Sequence, residues 1–474
     1  MNIQLHRAAV WFLDRCNGCG SCIAACKTVW NREPGSEAME WLRVESGNVS
    51  GRGTAPTSRN TGAWVLESGE LRLKSFRRTS LLTRLFHHPD RQTFEETGEP
   101  WTWDPNAALE APLGPQPVQV EIRSAITGSS LSLQAEPVPT ASPEADSTSL
   151  VELEEPGAAD FSFFLPVFCA QCLNPSCVAA CPSDALVKRE ADGVVEVEEG
   201  ACRGWGSCVP ACPYGMVQTN WRDGRARKCH FCLPAGEDRV PLCADSCPTQ
   251  ALVVGWVLYD RDAVAAAAAA PSDKLVEAQR NLLLDPRDAE VMRLARRSGI
   301  PDAGLEAARN SPVYDLFVRW RLALPLRPDW RTVPMSFYVP PLPPATRAAG
   351  LSPEDGGSTL DRVVDRFAAL FTAGARHYAR ETLVRLEALR ARRDQRSGAD
   401  RPSNGRVAQL LSQAALSPAE ADEILAGLAA LFAAAPANGL QFGKAGAPRH
   451  PDSCAGGVSP QDPAADETEE AGDA

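Results

Sequence analysis

Residues 16–26 read Cys-Asn-Gly-Cys-Gly-Ser-Cys-Ile-Ala-Ala-Cys, so four cysteines are separated by two, two and three residues. Three more cysteine groups follow between residues 169 and 248, and every group ends in Cys-x3-Cys. The last three groups continue directly into proline. This shared ending indicates one structural unit that is used four times, in two pairs. The groups consist of Cys16, Cys19, Cys22 and Cys26; Cys169, Cys172, Cys177 and Cys181; Cys202, Cys208 and Cys212; and Cys229, Cys232, Cys243 and Cys247.

The spacing within the groups suits an iron–sulfur cluster, which needs four thiolates from several directions. A Cys-x2-Cys-x2-Cys turn wraps three sulfurs around such a cluster, and we expect the fourth cysteine on the helix that follows. Four residues of helix rise by about 6 Å, which carries the last sulfur toward a neighbouring cluster, as in two-cluster ferredoxins. Structural zinc sites, the main alternative, use two cysteine pairs separated by a longer stretch and lack the repeated ending. The sequence therefore predicts iron–sulfur clusters rather than zinc.

Group three departs from the pattern at Trp205, which occupies the place of the second cysteine. An indole donates only through its N–H and cannot ligate iron. With one thiolate missing, we expect a three-iron cluster here and assign Trp205 to its binding site without making it a ligand; the alternative is an ordinary core tryptophan. Fifteen cysteines then serve as ligands, and Cys454 is left over as an idle thiol.

Basic residues stand next to the cysteine groups at Lys27, Arg203 and Lys228. Positive charge near a cluster raises its reduction potential, although each of the three could equally be a solvated charge. His230 lies within group four but exceeds the ligand count, and we interpret it as structural. The sequence shows no phosphate-binding glycine loop, nucleophile elbow or recognisable carboxylate pair. We therefore assign no catalytic residue and expect an electron carrier with a partner at each end.

The composition of the 474 residues is that of a globular protein, with 44% hydrophobic and 23% charged residues. A net charge of −12 argues against nucleic-acid binding. Residues 1–15 show neither a signal peptide nor a twin arginine, and the apolar run 263–270 is much shorter than the roughly 20 residues of a membrane span. We expect a chain without a membrane span in a reducing cytoplasm, where clustered cysteines favour metal binding over disulfides.

Patterning along the chain predicts several elements. Strands are expected at 7–15, 41–44, 63–66 and 251–259, and a hairpin with an Asp-Gly turn over 185–197. Beyond residue 270 the pattern becomes helical, with apolar Leu383, Leu386 and Leu389 in the predicted helix 376–396 and a capping box at Ser417–Glu420. Residues 134–160 read as a linker rich in Pro, Ser and acid. We predict five regions: 1–33 with group one, an insertion over 34–160, 161–260 with the other three groups, a mainly helical region over 261–443, and an acidic, disordered tail over 444–474.

These residues resemble the beta subunit of respiratory nitrate reductase, the four-cluster subunit of a membrane-bound molybdenum enzyme. The resemblance is carried by residues 14–31, by the second and third cysteine groups, and by segments without cysteines such as 311–314 (Ser-Pro-Val-Tyr) and 338–342 (Tyr-Val-Pro-Pro-Leu). It implies an α+β fold with two ferredoxin-like halves of the bacterial two-cluster type, added loops and a helical C-terminal region. Groups one and four would build one half, and groups two and three the other.

The resemblance also implies the ligands, residue by residue, of three 4Fe-4S clusters and one 3Fe-4S cluster. The 4Fe-4S clusters take Cys16, Cys19, Cys22 and Cys247; Cys26, Cys229, Cys232 and Cys243; and Cys169, Cys172, Cys177 and Cys212. The 3Fe-4S cluster takes Cys181, Cys202 and Cys208.

The family further implies a direction of electron transfer and two partners at the cytoplasmic face of the cell membrane. A haem b membrane subunit, gamma, oxidises quinol, and electrons enter this chain at the three-iron cluster. They leave from the group one cluster to a molybdopterin-containing catalytic subunit, alpha, which reduces nitrate to nitrite. The alternative is the same chain of clusters in nitrite oxidoreductase or in a selenate, chlorate or dimethyl sulfide enzyme.

Overall fold

The first strand of the chain leads directly into the first cysteine group and therefore positions that group. Residues 8–13 form an unbroken apolar stretch, Ala-Ala-Val-Trp-Phe-Leu, and all of them are buried. A strand with apolar side chains on both faces needs cover on both sides. Strand β1, Ile3–Phe12, is the central strand of a five-stranded sheet, so its backbone is paired along both edges, and the burial of residues 8–13 shows that both of its faces are covered.

The computed structural model describes eight stretches of the chain: residues 1–48, 62–74, 118–123, 130–135, 162–233, 240–343, 359–397 and 402–433. Their strands are β1 (Ile3–Phe12), β2 (Leu42–Asn48), β3 (Trp64–Glu67), β4 (Glu70–Leu73), β5 (Val118–Arg123), β6 (Ser130–Ala135), β7 (Ser162–Phe168), β8 (Leu186–Lys188), β9 (Val195–Val197), β10 (Val217–Thr219), β11 (Ala226–Lys228), β12 (Leu252–Asp260), β13 (Leu283–Leu284), β14 (Leu324–Pro325) and β15 (Ser336–Val339). Their α-helices are α1 (Ser21–Trp30), α2 (Ser176–Ala179), α3 (Cys208–Ala211), α4 (Leu242–Asp245), α5 (Val264–Ala269), α6 (Leu275–Leu282), α7 (Ala289–Arg297), α8 (Asp302–Asn310), α9 (Pro312–Tyr314), α10 (Thr359–Phe371), α11 (Arg376–Ser397), α12 (Asn404–Gln413) and α13 (Pro418–Ala433). This mixture of strands and helices is consistent with the α+β class.

The main sheet brings the first and last cysteine groups together. Its order is β13-β12-β1-β15-β14. Strand β1 pairs antiparallel with β12, with Ala9 opposite Val254, and parallel with β15, with Ala9 opposite Ser336. Because β1 precedes group one and β12 follows group four, this pairing sets the two groups side by side. Helix α1 of group one also packs against the short helix α4 of group four.

Groups two and three are joined by hairpins and a helix contact. Strands β8 and β9 form the hairpin after group two, and β10 and β11 form the hairpin after group three. Helices α2 and α3 pack against each other, and β9 contacts β11. The predicted Asp-Gly hairpin is confirmed: Gly193 has a φ of 69°, and Asp192 accepts a hydrogen bond from the backbone N–H of Val194 at 3.1 Å.

The last cysteine of the group lies on a helix in group one alone, which corrects the prediction for the other three groups. Cys26 belongs to α1. In the other groups the helix is a single turn that carries the first cysteine of the Cys-x3-Cys ending, and the last cysteine of the group lies just beyond the helix end. Proline follows each of these last cysteines, and the residue before a proline is disfavoured in the helical conformation. Cys212 accordingly has an extended backbone, with φ −81° and ψ 109°.

The other element predictions are confirmed with shifted ends where the chain is described. Strand β1 begins at Ile3 rather than at residue 7, β2 and β3 include most of the predicted strands near 42 and 64, and β12 matches the predicted strand 251–259. Residues 136–160 of the predicted linker, the predicted tail and Cys454 lie outside the described residues.

The residues after 260 contribute both helices and sheet strands. Helix α11 matches the predicted helix 376–396, and Leu383, Leu386 and Leu389 are fully buried. The capping box is confirmed, because Ser417 Oγ accepts the backbone N–H of Glu420 at 3.2 Å and Glu420 Oε2 accepts that of Ser417 at 2.8 Å. Strands β13, β14 and β15 of the main sheet also come from this part of the chain. Within the described stretches, the helices lack the combination of length and apolar character that crossing a bilayer requires.

Candidate metal centres

One cavity is lined by four cysteines from two different groups. Its volume is about 440 Å³, which includes some open solvent. Cys26 comes from group one, on α1, whereas Cys229, Cys232 and Cys243 come from group four. The β1–β12 pairing and the contact between α1 and α4 hold these groups together. The rest of the wall is mostly apolar and consists of Trp30, Trp41, Leu42, Phe168, His230, Phe231, Pro241, Leu252 and Val254.

A second cavity, of about 340 Å³ with its open solvent, also combines two groups. Three of its cysteines belong to group two and one to group three. The two groups are joined beside it by Ser176, whose hydroxyl donates to the carbonyl oxygen of Ala211 at 2.7 Å. The cysteines of this cavity are Cys169, Cys172, Cys177 and Cys212.

The remaining cysteines of groups one and four form a third set. Cys16 and Cys22 interact electrostatically with Cys247 and with Cys19. Burial, together with repulsion from these neighbouring thiolates, raises the pKa of Cys16 to about 11 and that of Cys22 to about 12. Cys19 is exposed, so this set reaches the protein surface.

The remaining cysteines of groups two and three form a fourth set of three. Burial and the thiolates of Cys181 and Cys202 raise the pKa of Cys208 to about 12. The backbone N–H of Ala226 donates to the sulfur of Cys202 at 3.4 Å. Trp205 lies in the same loop and is 58% exposed, so the alternative of an ordinary core tryptophan is wrong.

Neighbouring sets adjoin one another in a line. Cys22 of the third set interacts with Cys26 of the first cavity. Cys229 of the first cavity interacts with Cys169 of the second. Cys208 interacts with Cys212 of the second cavity. The four sets therefore run from the exposed Cys19, through the two cavities, to the loop of Trp205.

Three of the groups make the same backbone contact to the sulfur of their last cysteine. The N–H four residues further along donates to that sulfur, and hydrogen bonds to sulfur help to set the potential of a cluster. The recurrence of this contact shows that Cys-x3-Cys-Pro is a repeated structural unit. The bonds run from Ala185 to Cys181 at 3.3 Å, from Met216 to Cys212 at 3.4 Å and from Ala251 to Cys247 at 3.3 Å.

The donor sets fit iron–sulfur clusters. Burial, together with repulsion from neighbouring thiolates, raises the pKa of Cys172 to about 12 and that of Cys177 well above its ordinary range. Ligating cysteines must be thiolates, and iron cations bound among them would offset this repulsion. Trp30 Nε1 and His230 Nδ1 belong to side chains that line the first cavity, yet both atoms are buried without a hydrogen-bond partner in the described part of the chain. Inorganic sulfides are acceptors that would suit such donors.

The three basic residues noted in the sequence differ in burial. Lys228 is 4% exposed and lines the second cavity, whereas Lys27 is half-buried and Arg203 is exposed. Burial lowers the pKa of Lys228, but the neighbouring cysteine thiolates outweigh it and raise the pKa overall. The interpretation as a solvated charge is therefore wrong for Lys228 and confirmed for Arg203.

Sequence reasoning missed a second cation beside the second cavity, the half-buried Lys188. The Nζ of Lys188 donates to the carbonyl oxygens of Cys172 at 3.0 Å and Gly193 at 2.9 Å, and it lies 2.8 Å from Nε2 of His6. Nδ1 of His6 contacts the carbonyl oxygen of Arg7 at 2.5 Å; a carbonyl can only accept, so Nδ1 carries the proton and Nε2 accepts from Lys188. Burial lowers the pKa of Lys188 to about 7. No short motif could have linked a strand lysine to a histidine so distant in sequence.

Two family models match the cysteine regions. A model described as 4Fe-4S dicluster domain matches residues 161–257, and a 4Fe-4S binding domain model matches residues 13–29. Together with the four cysteine sets, these matches define an iron–sulfur protein with a role in electron transfer, and they favour iron over the zinc alternative.

Full-length relatives specify the family. The chain is 34% identical to the nitrate reductase beta chain of Bacillus subtilis (strain 168) over 82% of its own length and 85% of the relative. It is also 34% identical to the respiratory nitrate reductase 1 beta chain of Escherichia coli (strain K12), over 82% of its own length and 81% of the relative. The selenate reductase subunit beta of Thauera selenatis is 28% identical over 72% of this chain and 78% of the relative. The chain belongs to the family of nitrate reductase beta chains, which are subunits of an oxidoreductase complex.

Proposed function

We propose that this chain is the electron-transfer subunit of a quinol-dependent respiratory nitrate reductase. The observation that carries the proposal is the line of four cysteine sets, in a chain that is 34% identical to nitrate reductase beta chains. Clusters bound there supply one-electron transfer. The contribution of the protein is to hold the sulfurs at fixed positions, to bury the middle sets away from water and to leave both ends accessible.

We propose three 4Fe-4S clusters and one 3Fe-4S cluster, with Trp205 beside the three-iron cluster. The cavity linings support the ligand sets of Cys26 and Cys169, and the electrostatic contacts support those of Cys16 and Cys208. The sets are Cys16, Cys19, Cys22 and Cys247; Cys26, Cys229, Cys232 and Cys243; Cys169, Cys172, Cys177 and Cys212; and Cys181, Cys202 and Cys208.

These sets imply two ferredoxin-like halves. One half combines region 1–33 with group four, and the other comprises groups two and three of region 161–260. The insertion 34–160, the region 261–443 and the tail 444–474 are additions to this core. The pairing of β1 with β12 and the packing of α2 on α3 are the contacts that support this division.

Exposure at the two ends of the line supports one partner at each end. Cys19 is exposed at one end and Trp205 at the other, whereas the cysteines of the middle sets are buried or half-buried. We assign the molybdopterin-containing alpha subunit to the Cys19 end and the haem b gamma subunit to the Trp205 end. The chain would thus attach peripherally, through gamma, to the cytoplasmic face of the cell membrane.

Purification of the intact complex through a tag on this chain tests the proposal. We expect a molybdenum-containing subunit and a haem b subunit to co-purify and the complex to oxidise quinol only when nitrate is added. A complex prepared with the Cys243→Ala variant is the matched control and should lose quinol-linked turnover. A complex without molybdenum or haem would contradict the proposal.

The alternative is the same chain of clusters beside a different catalytic subunit. Relatives include the beta subunits of selenate reductase, dimethylsulfide dehydrogenase and chlorate reductase, each 28% identical to this chain. Their lower identity and coverage favour nitrate. Assays of the same complex with selenate, chlorate and dimethyl sulfide, and with nitrite in the oxidative direction, distinguish the candidates.

A further inference from the structure

A lysine lies at the junction of the two middle cysteine sets. Lys228 ends β11 and directly precedes Cys229 in the chain. Its side chain lines the second cavity together with Cys169 and Cys177. Lys228 is therefore a chain neighbour of the Cys229 set, and its side chain lies beside the Cys169 set.

The ammonium group of Lys228 has three acceptors. Nζ donates to the carbonyl oxygen of Val195 and, at 2.7 Å, to that of Cys229, and it also bonds to the sulfur of Cys169. These acceptors account for the three donors of an ammonium. A buried charge is costly unless it is hydrogen-bonded and paired, and the negative partners in this contact are cysteine sulfurs.

The two cysteine sets meet at this point. Cys169 and Cys229 interact electrostatically, and Gln171 Nε2 donates to the carbonyl oxygen of Cys229 at 3.0 Å, which ties the loop of group two to group four. A unit charge fixed here acts on both sets at short range, in surroundings where water screens it poorly.

We propose that Lys228 is a positioning residue for electron transfer, whose fixed positive charge raises the reduction potentials of the Cys229 and Cys169 centres together. The inference rests on the proposed ligand sets, but not on nitrate as the electron acceptor. Positive charge near an iron–sulfur cluster stabilises its reduced form. Because one ammonium adjoins both centres, its loss shifts both potentials in the same direction.

An EPR-monitored redox titration of the intact complex tests the role of Lys228. In Lys228→Met and Lys228→Gln, we expect the equilibrium constant for reduction of both middle centres to fall at least tenfold. This corresponds to a reduction potential lower by about 59 mV for a one-electron couple. The Cys16 centre and the three-iron centre should keep their potentials. Gln retains N–H donors without the charge, so it separates charge from hydrogen bonding. Lys228→Arg should return both potentials toward the wild-type values.

Two other basic residues provide matched controls. Lys188 bonds to the carbonyl oxygen of Cys172, so Lys188→Met should shift the potential of the Cys169 centre and leave that of the Cys229 centre unchanged. Arg203 is exposed, so Arg203→Met should leave both middle centres unchanged.

The result that overturns the inference is a fully iron-loaded Lys228→Gln complex with both wild-type potentials, or one in which the three-iron centre shifts as far as the middle centres. If Lys228→Met does not assemble, the Gln and Arg variants decide the question. The ligand sets are tested separately by the iron content and EPR spectrum of the wild-type complex, and the terminal acceptor by the nitrate assay.

Discussion

Trp205 is the single residue that distinguishes group three from the other cysteine groups. It occupies a ligand position but has no atom that can bind iron, and its 58% exposure means that it contributes little to the core. Its conversion to a ligand should therefore change the cluster more than the fold.

We expect Trp205→Cys to convert the three-iron centre toward a four-iron cluster of lower potential, because a thiolate then becomes available at the missing corner. EPR of the oxidised protein should lose the near-isotropic signal of a three-iron cluster. Trp205→Phe is the control and should retain that signal. An unchanged signal in Trp205→Cys would refute the proposed position of the three-iron centre.

Burial separates basic residues that look alike in the sequence. Lys228 and Arg203 each stand next to a cysteine, yet Lys228 is buried and Arg203 is exposed. Lys228 lies on β11, which contacts β9, and its Nζ donates to the carbonyl oxygen of Val195 on that strand. Sequence reasoning could identify both residues as candidates but could not choose between them.

At the scale of elements, the proline after a cysteine group limits the length of its helix. Helices α2, α3 and α4 are single turns, whereas α1, without a proline, continues to Trp30. The Cys-x3-Cys-Pro ending is visible in the sequence, and helix rise alone predicts the last cysteine on the helix. The helix ends earlier because a proline disfavours the helical conformation at the residue before it.

The turn of the β8–β9 hairpin is packed against the main sheet. A Cβ on Gly193 would lie 2.1 Å from Cδ2 of the buried His6, and His6 in turn accepts from Lys188. Glycine is therefore required at residue 193 both for its positive φ and for space.

We expect Gly193→Ala to destabilise the protein more than Gly224→Ala. Both glycines have a positive φ, which costs alanine about 1–2 kcal/mol, but a Cβ on Gly224 would meet no atom within 4 Å. The clash at Gly193 adds roughly 1–3 kcal/mol. Thermal unfolding of the iron-loaded variants provides the comparison. Equal losses of stability in the two variants would show that the His6 side chain moves aside at no cost in free energy.

At the scale of the whole molecule, cysteines distant in the sequence line common cavities. Cys26 meets Cys243 in the first cavity, and Cys177 meets Cys212 in the second. Each set thus depends on strand or helix contacts that bring separate groups together, and bound iron would link the groups in return.

We expect an anaerobic preparation to contain about fifteen irons per chain, as three four-iron clusters and one three-iron cluster require. Cys454→Ala should leave this content unchanged, whereas Cys243→Ala should lower it by about one to four irons, because a set left with three thiolates holds at most a three-iron cluster. Iron and sulfide analysis provides the measurement. A colourless protein with zinc in place of iron would contradict the proposed clusters.

The sequence by itself determined the kind of cofactor and the family, because most ligands of a cluster follow one another at short, fixed spacings along the chain. It also located the exception at Trp205. The tertiary structure decided which cations lie at the clusters, that the half-buried Lys188 bonds to the buried His6, and in which order the four cysteine sets adjoin one another. These features depend on strand pairing and burial between residues far apart in the chain, for which local spacing carries no information.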